Sequence, residues 1–498
     1  VVIKAIFDDW ADGYLGSSDA ENKWAGADAA EIRQNMAGLL AYHELTGYKP
    51  ALDICKRSGD LLIATYGDGK RDIITAGTPG ESGLASTAVL SPMTDLYRLT
   101  GEAKYLEFCK YITHAYEAAN GPHLLTRPNA VGKSADLLAN LNGLAKLYVL
   151  TGDAQYLKAA TADHKDLTEN FLSITGSADP ADEACTVSEW AELNTRLFSL
   201  TGELHYMDLF ERAAYNGLAA SASPSTGCAH IKSSEAGSKT YSCLPSAQLA
   251  ASAGAILQVP GMVTGLKDGG AAILAYTNFS DRITLVEGPK PVTLTLTMTS
   301  RFPDDGMKTM LIMQPSKPME FSVWLRVPNW CSSFKVSMIG GKNAREGKPG
   351  EWLEFKEEWK RGDKLYIDFD IPVSLTDAGP KNAGMAAVVR GPQVLAADSV
   401  LNKAFRLDDA SVLSAPFMPA DESEKKEKDK KPKPGGYRPQ VPSGPVRLLR
   451  AAFPAGWEGG QAYSVSGNAA GKNTDIVLVP YAEAGQSGSQ SQLWFKKQ

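Results

Sequence analysis

Residues 197–210 read Leu-Phe-Ser-Leu-Thr-Gly-Glu-Leu-His-Tyr-Met-Asp-Leu-Phe. The Leu200-Thr201-Gly202 step at the centre decides the fold, because the chain repeats it. It recurs as Leu45-Thr46-Gly47, Leu99-Thr100-Gly101 and Leu150-Thr151-Gly152, with glycine-to-glycine steps of 54, 51 and 50 residues. Tyr105, Tyr156 and Tyr206 stand four residues after the last three glycines, and Leu106, Leu157 and Met207 follow them. A glycine closing an apolar helical stretch supplies the left-handed residue that ends the helix. The Tyr-Leu pair opens the apolar face of the next one. Each unit therefore reads as helix, tight turn, helix.

A period near 50 residues with two helices per unit means stacked helical hairpins. The apolar spacing agrees: Leu137, Leu138, Leu141, Leu144, Leu147 and Tyr148 follow an i, i+3, i+4, i+7 rhythm. Such hairpins form an open solenoid or close into an α/α toroid. The toroid is the expected architecture, because the helical signal stops near residue 262 and a different pattern follows. About nine or ten helices are expected before that point.

Beyond it the period changes to two. Val292, Leu294, Leu296 and Met298 alternate with threonines. Phe321, Val323, Leu325 and Val327 alternate with Ser322, Trp324 and Arg326, and Leu365, Ile367, Phe369 and Ile371 alternate with polar neighbours. Such runs between Gly, Pro and Asp turns read as an antiparallel β-sandwich. Trp330, Trp352 and Trp359 read as core or edge packing rather than as sugar platforms. Residues 421–436, DESEKKEKDKKPKPGG, carry mixed charge and no apolar residue, the composition of a solvated loop. The expected organisation is a toroid over 1–262, a β-sandwich over 263–400 and a further β region over 401–498.

Composition narrows the function. Charged residues make up 22% and hydrophobic ones 43% of the 498 residues, an ordinary globular balance. The formal net charge of −6 argues against a nucleic-acid binder. No apolar run is long enough to span a membrane. The chain starts at Val1 inside what reads as folded sequence, which points to a removed signal peptide or longer N-terminal piece and to an exported protein. Six cysteines are too few for a disulfide scaffold, and no C-x-x-C pair suggests a zinc ribbon.

Three of the six bear on chemistry. Glu183-x-Cys185, with Cys243 further on, offers one carboxylate and two thiolates to a single ion, a set that suits zinc. A metal-held thiolate is also a competent nucleophile. The bland reading of the same residues is buried thiols, or a Cys228–Cys243 disulfide in an exported protein. Cys55 and Cys109 sit among apolar helical residues as small core hydrophobes, and Cys331 carries no assigned role. Trp24 and Asp28 either line the toroid mouth or anchor the first helix. Trp190 beside Glu189 is open in the same way. Tyr215 and Asn216 read as a helix end that packs.

Several stretches resemble glycoside hydrolase family 127, the β-L-arabinofuranosidase type. They are Glu183-Ala184-Cys185-Thr186-Val187 and the run Tyr206 to Gly217 containing Glu211-Arg212-Ala213-Ala214-Tyr215-Asn216. Ser242-Cys243-Leu244-Pro245-Ser246 is a third. In the β region the resemblance rests on Phe302-Pro303-Asp304-Asp305-Gly306, Leu325-Arg326-Val327-Pro328 and Val389-Arg390-Gly391-Pro392. It implies a toroid followed by β-sandwich domains and an exo-acting, retaining glycosidase that removes an arabinofuranose-like sugar from a complex glycan. It implies zinc on Glu183, Cys185 and Cys243, with Cys243 as nucleophile and Glu211 in contact with the sugar.

Two positions depart from the family pattern. Its second adjacent cysteine is Leu244 here, leaving Cys228 or His230 as replacement ligands. Its acid/base glutamate has no counterpart in residues 174–180, leaving Asp179, Asp182 or Glu189. Lys133 stands where part of the family carries histidine. Substrate contacts are expected from Glu211, Trp24, Asp28, Lys133 and Glu189. Two other readings compete: a non-catalytic glycan-binding relative, and a polysaccharide lyase using Tyr241 and His230.

Overall fold

In a computed structural model of the chain, the described residues are 12–18, 23–24, 28–76, 82–127, 135–178, 183–223, 226–233, 239–243, 253–378, 383–412, 448–451, 457, 460–485 and 488–497. They form a helical N-terminal region followed by a β-rich C-terminal region. Packing divides the chain into two compact units, Val1–Gly202 with Leu244–Ala255, and Glu203–Cys243 with Ile256–Gln498.

The first unit holds α1 (Asp28–Thr46), α2 (Lys49–Thr65), α3 (Leu90–Thr100), α4 (Ala103–Ala115), α5 (Ala135–Thr151), α6 (Ala154–Asn170) and α7 (Ala184–Thr201). The Leu-Thr-Gly step works as read. Gly47, Gly101, Gly152 and Gly202 have φ between +69° and +72°, a left-handed conformation that favours glycine. Their amide nitrogens close the helices, as Gly152 N–H does to Tyr148 O at 2.8 Å. The threonine is used too. The hydroxyls of Thr46, Thr100, Thr151 and Thr201 each donate to the carbonyl four residues back, at 2.6–2.8 Å. Thr46, Thr100 and Thr151 also accept from the amide two residues on, which turns the chain into the next helix.

α1 packs on α2, α3 on α4 and α5 on α6, while α1, α3, α5 and α7 touch in chain order. The buried leucines of α5 and the buried Tyr105 and Tyr156 fill this core. Cys55 and Cys109 lie fully inside it, and burial pushes the Cys55 thiol up to about 12.

The second unit begins with α8 (Leu204–Tyr215) and the hairpin β1 (Ala229–Ser233) and β2 (Lys239–Ser242). Strands β3 (Thr264–Lys267), β4 (Gly270–Ile273), β5 (Phe279–Val286), β6 (Val292–Arg301), β7 (Asp305–Pro315) and β8 (Met319–Arg326) follow. Then come β9 (Phe334–Met338), β10 (Arg345–Glu346), β11 (Trp352–Trp359) and β12 (Asp363–Phe369). They form a six-stranded sheet, β10-β9-β12-β7-β6-β5, and a four-stranded sheet, β11-β8-β4-β3. Both contribute to one core, with Leu294, Leu296 and Leu311 from the first and Val323, Leu325 and Phe355 from the second. That is a sandwich, although β4 and β8 run parallel. Trp359 is buried and donates to Phe321 O, as a core residue should.

The third sheet starts earlier than the sequence reading placed it. β13 (Val373–Asp377), β14 (Met385–Arg390) and β15 (Gln393–Asp398) join β16 (Ala410–Val412), β17 (Leu448–Arg450), β18 (Tyr463–Ala469), β19 (Lys472–Pro480), β20 (Ser491–Gln492) and β21 (Phe495–Lys497). β14 pairs with both β15 and β21, so β14-β21-β16-β18-β19-β15 closes on itself. This ring has a core of its own. By strand pairing the division falls near residue 372, because β14 pairs with β21, and β15 with β19 and β20, all from the C-terminal region. Likewise α8 packs in the β-rich unit, so the boundary drawn at 262 does not follow the packing. Residues 421–436 lie outside the described residues.

Candidate functional site

Asp28 opens α1. Its carboxylate accepts from Tyr14 Oη at 2.7 Å and from the Trp24 amide at 2.8 Å, and it is 2% exposed. Trp24, itself left-handed at φ 67°, sets its ring edge-on to Tyr14 and Tyr66. Each Asp28 oxygen accepts one bond from the chain segment that leads into the helix, so the carboxylate anchors that segment.

Further along α1, buried Arg33 gathers residues from α5 and α7. Its guanidinium donates to Glu189 Oε1 at 2.5 Å and to Asp136 Oδ1 at 3.3 Å. Asn142 Nδ2 donates to the other Glu189 oxygen at 3.0 Å. Burial holds Glu189 above the ordinary carboxylate range despite Arg33. The two carboxylates remain partly accessible while Arg33 does not. Glu189 was legible as a candidate; Arg33, Asp136 and Asn142 were not, because each reads alone as an ordinary helical residue. Trp190 is fully buried and stacks on His164 at 4.5 Å, a packing role.

Glu183 stands at the N-terminal end of α7 and Cys185 in its first turn. The Cys185 thiol lies 3.9 Å from Glu183 Oε2. Burial, with help from Glu183 and against Arg33, pushes it up to about 11, so it is a neutral thiol at pH 7.

Cys243 follows β2 in the second unit and is bonded to Cys228, with Cα atoms 4.4 Å apart. In this form Cys243 is not a free thiolate. The cause is strand register. Ala229 pairs with Ser242, so residues 228 and 243 face each other across the hairpin. A disulfide sulfur is neither nucleophile nor thiolate ligand. Position 244, leucine in the sequence, lies outside the described residues, as do Asp179, Asp182 and Lys133. Among the described residues no three His, Cys, Asp or Glu side chains group in a metal-holding arrangement. The donor set does not fit zinc in this form. His230 is buried with Nε2 3.2 Å from Ser233 Oγ, and Tyr241 Oη donates to Ala220 O. Burial drives the Tyr241 phenol well up, which is the wrong direction for a lyase base.

Glu211 lies on α8, 5% exposed. One oxygen accepts from Arg326 Nη2 at 2.6 Å and the other from Trp330 Nε1 at 2.7 Å. Arg326 also donates to Asp208 at 2.7 Å and to Leu274 O at 2.8 Å. Strand alternation places Arg326 outward; the structure buries it completely, because α8 brings two carboxylates to it. Glu211, Tyr215 and Arg326 border a mostly apolar cavity of about 220 Å³ with Phe210, Met262 and Leu274. Nearby, Asn216 Nδ2 donates to Pro392 O and its Oδ1 accepts from Val394 N–H, both at 2.7 Å. Arg390 donates to the carbonyls of Pro303 and Asp304, and Phe302 stacks on Trp330. The quoted Glu-Arg-x-x-Tyr-Asn, Leu-Arg-Val-Pro, Phe-Pro-Asp-Asp-Gly and Arg-Gly-Pro stretches thus form one network. Its geometry makes Glu211 a buried ion-pair partner of Arg326 that also accepts from Trp330.

The architecture is a module of repeated helical hairpins followed by β modules. The chain belongs to glycoside hydrolase family 127: the model of its β-L-arabinofuranosidase catalytic domain matches residues 3–241 and that of its middle domain residues 281–371. A non-reducing end β-L-arabinofuranosidase of Bifidobacterium longum subsp. longum is 23% identical over 436 residues, covering 73% of this chain and 64% of that protein. The chain thus spans less than two thirds of that relative's length. The fold is shared with a solved family 127 β-L-arabinofuranosidase from Geobacillus stearothermophilus T6, at a TM-score of 0.74 and 17% identity over 100% of this chain and 86% of that one. A second family 127 β-arabinofuranosidase structure gives 0.78 and 20% over 100% and 84%.

Proposed function

We propose that the protein is an exported, exo-acting glycoside hydrolase that removes terminal β-L-arabinofuranosyl units from a glycan with retention of configuration. The observation that carries this reading is the match to both the catalytic and the middle domain of family 127. In its reduced form Cys243 is the nucleophile. Its thiolate attacks the anomeric carbon, the C–S bond forms as the glycosidic C–O bond breaks, and a carboxylic acid protonates the leaving oxygen. Water then cleaves the thioglycoside and returns the thiol. Glu189 contacts sugar hydroxyls through its accessible carboxylate.

A hydrolysis screen on aryl arabinofuranosides and mixed glycans tests this, with wild type and Cys243→Ala assayed in parallel under reducing conditions. Release of arabinose by wild type alone, with the β-anomer formed first by NMR, is the expected result. Undiminished release by Cys243→Ala removes the thiolate mechanism. The engagement of both Glu211 oxygens and the Cys228–Cys243 bond favour one second reading, a glycan binder without catalysis. It predicts glycan retention with no sugar released in any redox state.

A further inference from the structure

We propose that Cys228 and Cys243 form a reversible dithiol–disulfide pair that locks and releases the nucleophile. This rests on the reading of Cys243 as the attacking thiol. Four observations carry it. First, the bond joins the one cysteine whose free thiolate the reaction needs to a directly opposed strand neighbour, which the Ala229–Ser242 register fixes. Second, Cys243 is exposed, so an external thiol can reach the bond, whereas Cys55, Cys109 and Cys331 are buried in cores. Third, the hairpin does not depend on the bond for its place. Lys239 Nζ donates to Tyr481 O at 2.7 Å, Ser233 and Tyr481 share a hydrogen bond, and Tyr241 holds Ala220. Fourth, the chain has leucine at 244 and a cysteine at 228. Opening the bond gives two thiols on facing strand residues, the number the family pattern carries on adjacent residues.

The exchange balances. Two external thiols reduce the bond: one attacks a sulfur and forms a mixed disulfide while releasing the other cysteine, and the second displaces the protein thiol. The products are one small-molecule disulfide and two protein thiols, a transfer of two electrons and two protons. In an oxidising compartment the pair stays closed; a thiol-rich one opens it.

The test uses the full chain oxidised with glutathione disulfide or reduced with a dithiol, then freed of reagent. Arabinofuranoside hydrolysis and iodoacetamide labelling of Cys243 by mass spectrometry are read on each sample. Cys228→Ser is carried alongside, its fold checked by circular dichroism. We expect hydrolysis and labelling to be lost in oxidised wild type and restored on reduction, with no glutathione attached to the oxidised wild-type chain, whereas Cys228→Ser, which lacks the partner thiol, keeps glutathione on Cys243 as a mixed disulfide after the same oxidation. Equal activity of oxidised and reduced wild type overturns the lock, as does Cys243 labelling in the oxidised protein. Labelling that follows the redox state with no sugar released in any form overturns the arabinofuranosidase reading and leaves the reversible pair standing.

Discussion

Arg326 on β8 and Glu211 on α8 form an ion pair 2.6 Å long in which the arginine is wholly buried. Desolvating such a pair costs much of what its attraction gains, but removing one partner strands the other charge. Glu211→Ala is therefore expected to cost about 3–5 kcal/mol, read as a lower unfolding midpoint in urea. Asp208 offsets part of that loss because it shares Arg326. Replacing the whole triad, as in Glu211→Met and Arg326→Met with Asp208→Asn, is expected to recover stability relative to the single change. A single variant as stable as wild type would contradict the network.

How much of this was legible in the sequence follows from what each signal reports. The Leu-Thr-Gly turns were readable because φ near +70° restricts the residue and the threonine bonds stay within four positions. Strand faces were readable from alternation, which is also why Arg326 was misplaced. Alternation tells which side a residue takes, not whether a helix from elsewhere covers that side. Arg33 was missed for the same reason, since its partners lie 103 and 156 residues away. The closure of the third sheet depends on β14 meeting β21, a pairing with no local signal. The Cys228–Cys243 choice needed the strand register, which spacing alone leaves open.

Asp163 on α6 predicts a pH dependence. It is fully buried, both its oxygens lack a hydrogen-bond partner, and burial pushes its carboxyl up to about 7. The folded protein then holds a proton that the unfolded chain has released, so this group lowers stability as pH rises from about 4 to about 7. The slope reaches about 1.4 kcal/mol per pH unit. Asp163→Asn removes that slope. Urea midpoints at pH 4, 6 and 8 should show the variant near wild type at pH 4 and more stable than it at pH 8. Parallel profiles would mean the carboxyl finds a partner.

Gly152 tests the repeat. A Cβ there meets nothing within 4 Å, so only its backbone conformation, φ +72°, resists a side chain. Gly152→Ala is expected to cost about 1 kcal/mol, and Gly152→Asn less, since asparagine tolerates the left-handed region. Thermal unfolding should rank wild type first, then the asparagine variant, then the alanine variant. An alanine variant as stable as wild type would remove the helix-ending role assigned to the glycine.

The Arg33 cluster separates binding from support. Glu189 is proposed to touch sugar hydroxyls while Arg33 and Asn142 hold its carboxylate. A hydrogen bond to a charged group is worth about 1.5–3 kcal/mol. Glu189→Gln is therefore expected to lower kcat/KM about 10–100-fold, mostly through KM, in a protein that still folds. Arg33→Lys keeps the charge but loses the planar fork that spans Glu189 and Asp136. Its KM should rise in the same direction, with a further loss of thermal stability. Lys165→Ala, on an exposed stretch of α6, serves as the unaffected control. If both cluster variants lose stability while KM stays fixed, Arg33, Asp136 and Glu189 brace α1, α5 and α7 and the sugar is held elsewhere.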